Sequence, residues 1–234
     1  MKLCRFSLHE TPDVVRSGIF HDSRVYETQG DQARGIHDLS KITFYAPLGA
    51  SPTLRLFDGT TYRYANSTQY VGPVGEIEVP STGREMDLRI RLAYVAKDSG
   101  MSIGSDEAGD FILAISTLVE FFVRDGDGIA AMDMPVALGP FLVTLEELEG
   151  QTFPTASLKV NGEDVATANR DPFDPAALFV AASRSIAIQT ADILAAPAFP
   201  LPPLAETSLG RALQPSDSLT VQIAPLPPLT LKIV

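Results

Sequence analysis

The fold is indicated most clearly by the segment Met86-Asp87-Leu88-Arg89-Ile90-Arg91-Leu92-Ala93-Tyr94-Val95-Ala96. Its side chains alternate with a period of two, which predicts a β-strand over Leu88–Ala96. One face of that strand comprises Leu88, Ile90, Leu92 and Tyr94, and the other comprises Arg89, Arg91, Ala93 and Val95. Two arginines therefore share one face of a strand that is otherwise apolar.

Short strands and turns surround this stretch on its N-terminal side. We predict strands at Met1–Phe6, Val14–Phe20 and Arg24–Glu27, and assign residues 1–45 to a small N-terminal β-rich unit. Residues 46–234 form the main domain, which begins with loops and two short strands, Thr53–Phe57 and Gly75–Val79.

The C-terminal side continues the β-rich pattern with one helix. Phe111–Val123 is apolar and β-branched, which is typical of a buried strand, although periodicity alone also allows a helix. Leu158–Val165 contains Asn161-Gly162, a dipeptide that favours a tight hairpin. Asp174-Pro175 predicts a helix start, with the helix running to about Ile188. The expected class is α+β with a predominance of strands.

The composition limits which classes of partner and which cellular compartment we expect. The chain has 18 Lys and Arg against 29 Asp and Glu, a net charge of -11, which disfavours nucleic acid and anionic membrane surfaces as partners. The single cysteine, Cys4, excludes an intrachain disulfide and a cysteine zinc site. The first residues lack the apolar core of a signal peptide, so we expect a cytoplasmic protein.

Several segments, in this order, resemble the fumarylacetoacetate hydrolase family. They are Tyr70-Val71-Gly72-Pro73, the run from Met86 to Ala93, Ala137–Thr144, Val160-Asn161-Gly162-Glu163 and Gln214–Leu219. The resemblance implies a mixed β-sandwich roll of the family's C-terminal domain type, assembled as a homodimer. It also implies hydrolases, decarboxylases or isomerases of 2-oxo and 2,4-dioxo acids.

The resemblance further implies a Mg²⁺ or Mn²⁺ site that this sequence alters. Family members hold the metal with a Glu-x-Glu pair on one strand face and a distant Asp. Here Arg89 and Arg91 stand at the two glutamate positions, and Glu120 falls near the third ligand. A guanidinium stays protonated and has no lone pair for a cation, so we predict no metal and no cofactor.

Other family features are also missing from the sequence. Ala130 aligns with the family lysine, and Leu194-Ala195-Ala196-Pro197 aligns with the Thr-Gly-Thr-Pro substrate loop. The lid is short between Gly59 and Tyr70, and the three histidines, at positions 9, 21 and 37, all precede it. A His–Glu dyad of the family type is therefore absent.

Arg89 and Arg91 allow three interpretations. They could clamp a small anionic ligand, form a structural ion pair with Glu120, or lie on a solvated face. We favour the ion pair, because an unpaired buried charge is costly. Tyr62, in the segment that resembles the family lid, is a third candidate ligand-binding residue.

These observations lead to two functional hypotheses. The first is a protein that has lost the metal-dependent hydrolase or decarboxylase site and is either non-catalytic or binds a small acidic, 2-oxo acid-like ligand. The alternative is an active metal-independent hydrolase, lyase or isomerase of a 2,4-dioxo or other enolisable acid. In that case Glu120 or Asp125 would be the base, and Arg89 and Arg91 would stabilise the enolate.

Overall fold

The structure, a computed structural model, describes residues 1–30, 32–80, 85–125, 128–131, 134–153, 155–171 and 173–234. At positions 125 and 128–131 it describes the backbone alone. The first strands along the chain are β1 (Lys2–Leu8), β2 (Thr11–His21), β3 (Arg24–Gln29), β4 (Gln32–Asp38) and β5 (Ile42–Tyr45). A short 3-10 turn, Leu39–Lys41, precedes β5.

The main domain continues with short strands and three long ones. Its elements are β6 (Leu54–Asp58), β7 (Thr61–Ala65), β8 (Tyr70–Val71), β9 (Gly75–Ile77), β10 (Glu85–Ala96), β11 (Ile112–Asp125), β12 (Gly128–Ala131), β13 (Val136–Thr144), β14 (Thr155–Val160), β15 (Glu163–Asn169), α1 (Ala176–Ser183), β16 (Ile193–Ala195), β17 (Ser218–Ile223) and β18 (Leu229–Ile233). Further 3-10 turns span Ala108–Phe111, Leu145–Leu148 and Leu204–Glu206.

These strands form two mixed sheets. In the described residues the larger sheet has the order β4-β3-β2-β1-β13-β11-β10-β16-β6-β7, with β5, β8 and β12 attached to it. The smaller sheet has the order β15-β14-β17-β18-β9. The pairs β16–β6, β13–β8 and β18–β9 are parallel, while neighbouring hairpins are antiparallel. The expected β-rich, mixed β-sandwich roll is confirmed.

Strand β10 lies near the middle of the larger sheet and buries both of its faces. Its Leu88, Ile90 and Leu92 belong to the main hydrophobic core, whereas Ala93 and Val95 belong to a second apolar cluster across the sheet. The two faces predicted from the sequence are therefore the two faces observed. A strand buried on both sides forces Arg89 and Arg91 to find partners inside the protein.

Two local predictions are settled by the long-range pairing. Phe111–Val123 is a strand rather than a helix, because β11 pairs with β10 along its length and with β13 on its other edge. The helix predicted to reach about Ile188 was wrong at its end, since α1 ends at Ser183. Ile188 instead exchanges backbone hydrogen bonds with Gly100, which removes it from any helix.

The N-terminal strands share the larger sheet with the rest of the chain. Strand β1 pairs with β13, where Lys2 lies opposite Val143, and Phe6 is buried in the main core. The boundary between residues 45 and 46 stays a prediction. No helix in the described ranges is long and apolar enough to cross a membrane.

Candidate functional site

The face of β10 that carries the arginines holds a group of charged side chains around Glu120. We call Glu120, Arg63, Arg89 and Arg91 the Glu120 cluster. Arg89 lies directly opposite Glu120 in the antiparallel pair β10–β11, and Arg91 is two residues further along the same face. Glu120 is 1% exposed and Arg91 is fully buried. A carboxylate in this position requires close cations.

Arg91 forms the best-defined contact with Glu120. Its Nε donates to Glu120 Oε2 at 2.9 Å, and its Nη1 donates to the carbonyls of Phe57 and Ala196 at 2.7 and 3.1 Å. Its Nη2 lies 3.5 Å from Asp58 Oδ1 but makes no hydrogen bond. Arg91 is thus held in place on three sides while one buried N–H group lacks an acceptor.

Arg89 and Arg63 approach the other oxygen of Glu120. Arg89 Nη1 is 3.6 Å from Oε1, and its guanidinium lies over the Phe122 ring at 4.8 Å. Arg63 Nη2 donates to the same oxygen, and its buried Nε has no hydrogen-bond partner. The side chains of Arg63 and Arg89 are 30% and 29% exposed. Both cations therefore reach the protein surface.

Arg63 was missed in the sequence analysis, and the β6–β7 hairpin explains its position. Arg63 pairs with Leu56, and β6 runs parallel to β16, which in turn pairs with β10. Four neighbouring strands thus bring Arg63 to the face of Glu120. The sequence feature that could have predicted this hairpin is the dipeptide Asp58-Gly59, which lies between two segments of alternating polarity. Gly59 has a φ of +65°, as a tight turn requires.

The charges of the Glu120 cluster do not balance. Three guanidiniums face Glu120, with Asp58 as a further carboxylate that is itself 68% exposed. Guanidiniums remain protonated in proteins. The cluster therefore has surplus positive charge together with two buried N–H groups that lack acceptors. Both features favour an additional anion or hydrogen-bond acceptor at this place.

Tyr62 is not brought to the Glu120 cluster. It lies next to Arg63 on β7 and therefore points to the opposite face, where its ring packs on Phe57 at 5.0 Å and on Tyr64 at 5.7 Å. The guanidinium of Arg55 lies 5.5 Å from its centre. Burial and the neighbouring Tyr64 raise the pKa of the Tyr62 hydroxyl. Its role in ligand binding stays a prediction.

The remaining predicted positions contribute backbone or fall outside the described side chains. Ala196, in the segment aligned with the family's substrate loop, supplies a carbonyl to Arg91. The side chains of Asp125 and Ala130 lie outside the described residues. Within the part of the chain that the structure describes, His, Cys, Asp and Glu side chains form no group of three that could hold a metal ion.

Another fully buried arginine, Arg55, lies on β6, in the same hairpin as Arg63, and it pairs with a different carboxylate. We call Arg55 and Asp192 the Arg55 pair; both are fully buried. Arg55 Nη1 donates to Ala182 O at 2.9 Å, and Nη2 donates to Ala187 O at 3.2 Å and to Asp192 Oδ2 at 3.3 Å. This pair fixes the C-terminal end of α1 to the sheet.

Comparison with known proteins shows which solved structures share this fold. No protein-family model and no curated protein sequence matches the chain. Solved structures do: maleylpyruvate hydrolase from Sphingobium sp. SYK-6 matches with a TM-score of 0.80 at 15% identity, over 100% of this chain and 99% of that one. The same enzyme has been solved with manganese(II) and pyruvate.

Two further structures give the same result. Fumarylacetoacetate hydrolase from the psychrophilic Exiguobacterium antarcticum matches with a TM-score of 0.79 at 17% identity, over 100% of this chain and 99% of that one. The 5-carboxymethyl-2-hydroxymuconate delta-isomerase from Mycobacterium smegmatis matches at 0.78 and 18%, over 100% and 98%. The chain has the fold of the fumarylacetoacetate hydrolase family, as its sequence motifs indicated.

Proposed function

We propose that this chain, which has the fold of fumarylacetoacetate hydrolases, binds a small carboxylate of the 2-oxo acid class without a metal ion. The observation that carries the proposal is the Glu120 cluster, in which three guanidiniums surround one buried carboxylate. Two of its N–H groups, Arg63 Nε and Arg91 Nη2, are buried without acceptors. An incoming carboxylate at the partly exposed guanidiniums of Arg63 and Arg89 supplies the negative charge that is lacking.

The donor set of the Glu120 cluster does not fit a divalent cation. Mg²⁺ and Mn²⁺ prefer several oxygen ligands, and guanidinium groups offer only N–H donors. Both oxygens of Glu120 already accept bonds from Arg63 and Arg91. We therefore infer that the metal-dependent hydrolase or decarboxylase chemistry of the fold family has been lost here.

The class of ligand is inferred from the geometry of the Glu120 cluster and from one solved structure of the same fold. Arg63 and Arg89 are partly exposed on the same face, so a ligand can reach them without unfolding the pair formed by Arg91. Planar guanidiniums match the two oxygens of a carboxylate. The manganese-loaded maleylpyruvate hydrolase of the same fold contains pyruvate. Pyruvate is thus the first ligand to test.

The same contacts support binding over catalysis. A general base needs a carboxylate oxygen that faces its substrate, and both oxygens of Glu120 instead accept hydrogen bonds from Arg63 and Arg91. The metal-independent enzyme hypothesis therefore receives less support from this geometry. Homodimer assembly and a cytoplasmic location stay predictions.

The decisive experiment measures thermal unfolding with pyruvate at constant ionic strength. We expect pyruvate to raise the unfolding temperature of the native protein in a saturable manner, and acetone, which lacks the carboxylate, to have no effect. The double variant Arg63→Ala, Arg89→Ala should lose this stabilisation. Arg24→Ala removes an exposed arginine elsewhere and should retain it.

The proposal fails on either of two results. One is the absence of a saturable shift in the native protein up to millimolar pyruvate. The other is a shift that survives the double variant unchanged. Consumption of a 2,4-dioxo acid that is lost in Glu120→Gln would support the alternative, an active metal-independent enzyme.

A further inference from the structure

A cavity of about 360 Å³ lies on the other side of the larger sheet from the Glu120 cluster. We call it the Tyr94 cavity; it lies between β10, β11, the 3-10 turn Leu145–Leu148 and the loop before α1. Small-ligand sites in proteins commonly have volumes of about 300–1,000 Å³. The residues that matter here are Tyr94, Ile115, Leu148, Phe153, Arg170 and Phe173.

The cavity wall combines an apolar surface with one cation. Ile115, Leu148, Phe153 and Phe173 supply aliphatic and aromatic surface. The Arg170 guanidinium lies over the rings of Phe199 and Phe173, at 4.7 and 5.4 Å from their centres. Walls of this kind suit a ligand with a hydrophobic body and one charged end.

Arg170 has few partners for a partly buried charge. Its Nη1 donates to the Pro197 carbonyl at 3.2 Å, and the Tyr94 hydroxyl lies beside the guanidinium. Among the described residues, no carboxylate lies within salt-bridge distance of it. Burial lowers the pKa of Arg170, and the contact with Tyr94 partly offsets this. A partly buried cation without a counter-ion among the described residues favours binding of an anion.

Tyr94 adds a second donor at the same end of the cavity. It is 2% exposed, and burial raises its pKa to about 12, so the hydroxyl keeps its proton at neutral pH. The exposed Asp171 also lines the cavity and disfavours a ligand with a second negative charge. The polar end is therefore suited to a single carboxylate.

We propose that the Tyr94 cavity binds a hydrophobic monocarboxylate, such as an arylalkanoate. The carboxylate accepts hydrogen bonds from Arg170 and Tyr94, and the aryl or alkyl body packs on Ile115, Phe153 and Phe173. This site is separate from the Glu120 cluster, because Tyr94 and Arg91 lie on opposite faces of β10. It does not depend on the function proposed for that cluster.

Isothermal titration with 3-phenylpropanoate tests the proposal, with 3-phenylpropan-1-ol as the neutral probe of the same shape. We expect the acid to bind at one site per chain and the alcohol to bind at least about tenfold more weakly, since a hydrogen bond to a charged group contributes that much. Arg170→Met keeps the volume and should weaken binding of the acid by a similar factor. Tyr94→Phe should weaken it less.

Two further variants keep the test decisive. Leu148→Trp should fill the cavity and abolish binding, with folding checked by circular dichroism. The double variant Arg63→Ala, Arg89→Ala should bind 3-phenylpropanoate as the native protein does, even if it loses pyruvate. Equal binding of acid and alcohol, or binding of the acid that survives both Arg170→Met and Leu148→Trp, overturns the proposal. Absence of binding to the native protein also overturns it.

Discussion

The Arg55 pair and the Glu120 cluster are built from the same two functional groups, yet they differ in balance and access. In the Arg55 pair one guanidinium meets one carboxylate, both fully buried, and its other donors bond to the carbonyls of Ala182 and Ala187 and to the hydroxyl of Thr53. In the Glu120 cluster one carboxylate meets three guanidiniums, two of them about a third exposed. The first arrangement balances its charges and leaves one buried oxygen, Asp192 Oδ1, without a donor, whereas the second has surplus positive charge and two buried donors without acceptors.

A buried arginine is therefore not by itself a sign of function. What separates a structural contact from a binding site here is the number of cations per carboxylate and their access to solvent. Every nitrogen of Arg55 has an acceptor, whereas Arg63 Nε and Arg91 Nη2 have none. Four substitutions test this distinction, and they are given in order of decreasing effect on stability.

Asp192→Asn should cause the largest loss of stability. It leaves the fully buried guanidinium of Arg55 without a counter-ion, which typically costs about 3–5 kcal/mol in the free energy of unfolding. Urea unfolding followed by circular dichroism measures the change. Asp22→Asn, at a carboxylate that is 83% exposed, is the matched control and should change little. A loss below about 1 kcal/mol at Asp192 would refute the structural role.

Glu120→Gln should cost less, about 2–3 kcal/mol, because water can reach Arg63 and Arg89, and Asp58 stays 3.5 Å from the buried Arg91 when the charge of Glu120 is removed. Added pyruvate should restore part of this loss, since it supplies the missing negative charge. The same addition should leave Asp192→Asn unchanged. Unfolding curves recorded with and without pyruvate at matched ionic strength give the loss of stability and the part of that loss that pyruvate restores. Equal restoration in the two variants would remove the distinction between the two regions.

Asp217→Asn tests an intermediate case, a balanced pair near the surface. Arg211 donates to both oxygens of Asp217 at 2.7 and 2.8 Å and holds its pKa at about 2. The unfolded carboxyl titrates near 3.9. The stabilisation is therefore present above pH about 4 and is lost as the pH falls from about 4 to about 2.

The variant should lower the free energy of unfolding by about 1–2 kcal/mol at pH 7, reduced by the partial exposure of Arg211. The difference from the native protein should shrink to about 0.4 kcal/mol at pH about 2 and vanish at lower pH. Urea unfolding of the native protein and of Asp217→Asn, from pH 7 down to pH about 2, checks the direction of this change in the free energy of unfolding. A difference that persists undiminished at pH 2 would assign the effect to the turn rather than to the charge.

Arg63→Ala should have the smallest effect on stability, within about 1 kcal/mol. It removes one contact with Glu120, but it also removes a buried donor without an acceptor and reduces repulsion among three cations. Pyruvate binding should nevertheless weaken. Titration and unfolding together separate the two outcomes. A loss of stability as large as that of Asp192→Asn would mean that Arg63 is structural.

The sequence predicted what depends on local pattern. The two faces of Leu88–Ala96 are observed, and Asn161-Gly162 forms the tight turn between β14 and β15, with φ values of 54° and 86°. The segment motifs also identified the fold family. The close approach of Arg89 and Arg91 to Glu120 was expected on the basis of that resemblance.

Features that depend on long-range strand order were not predicted. Arg63 reaches Glu120 only because β7, β6, β16 and β10 are neighbours, and β16 lies more than a hundred residues after β6 in the chain. The Arg55 pair likewise joins residues 137 positions apart. The end of α1 was placed too late because the bridge between Ile188 and Gly100 is also non-local.

Two isothermal titrations of the same protein, one with Mn²⁺ and one with pyruvate in the presence of a metal chelator, test whether the Glu120 cluster binds a carboxylate without a metal ion. We expect no saturable Mn²⁺ site at Glu120, and one pyruvate site per chain that is weakened in Arg63→Ala, Arg89→Ala. A single Mn²⁺ site that disappears in Glu120→Gln, together with pyruvate binding that requires the metal, would contradict this expectation.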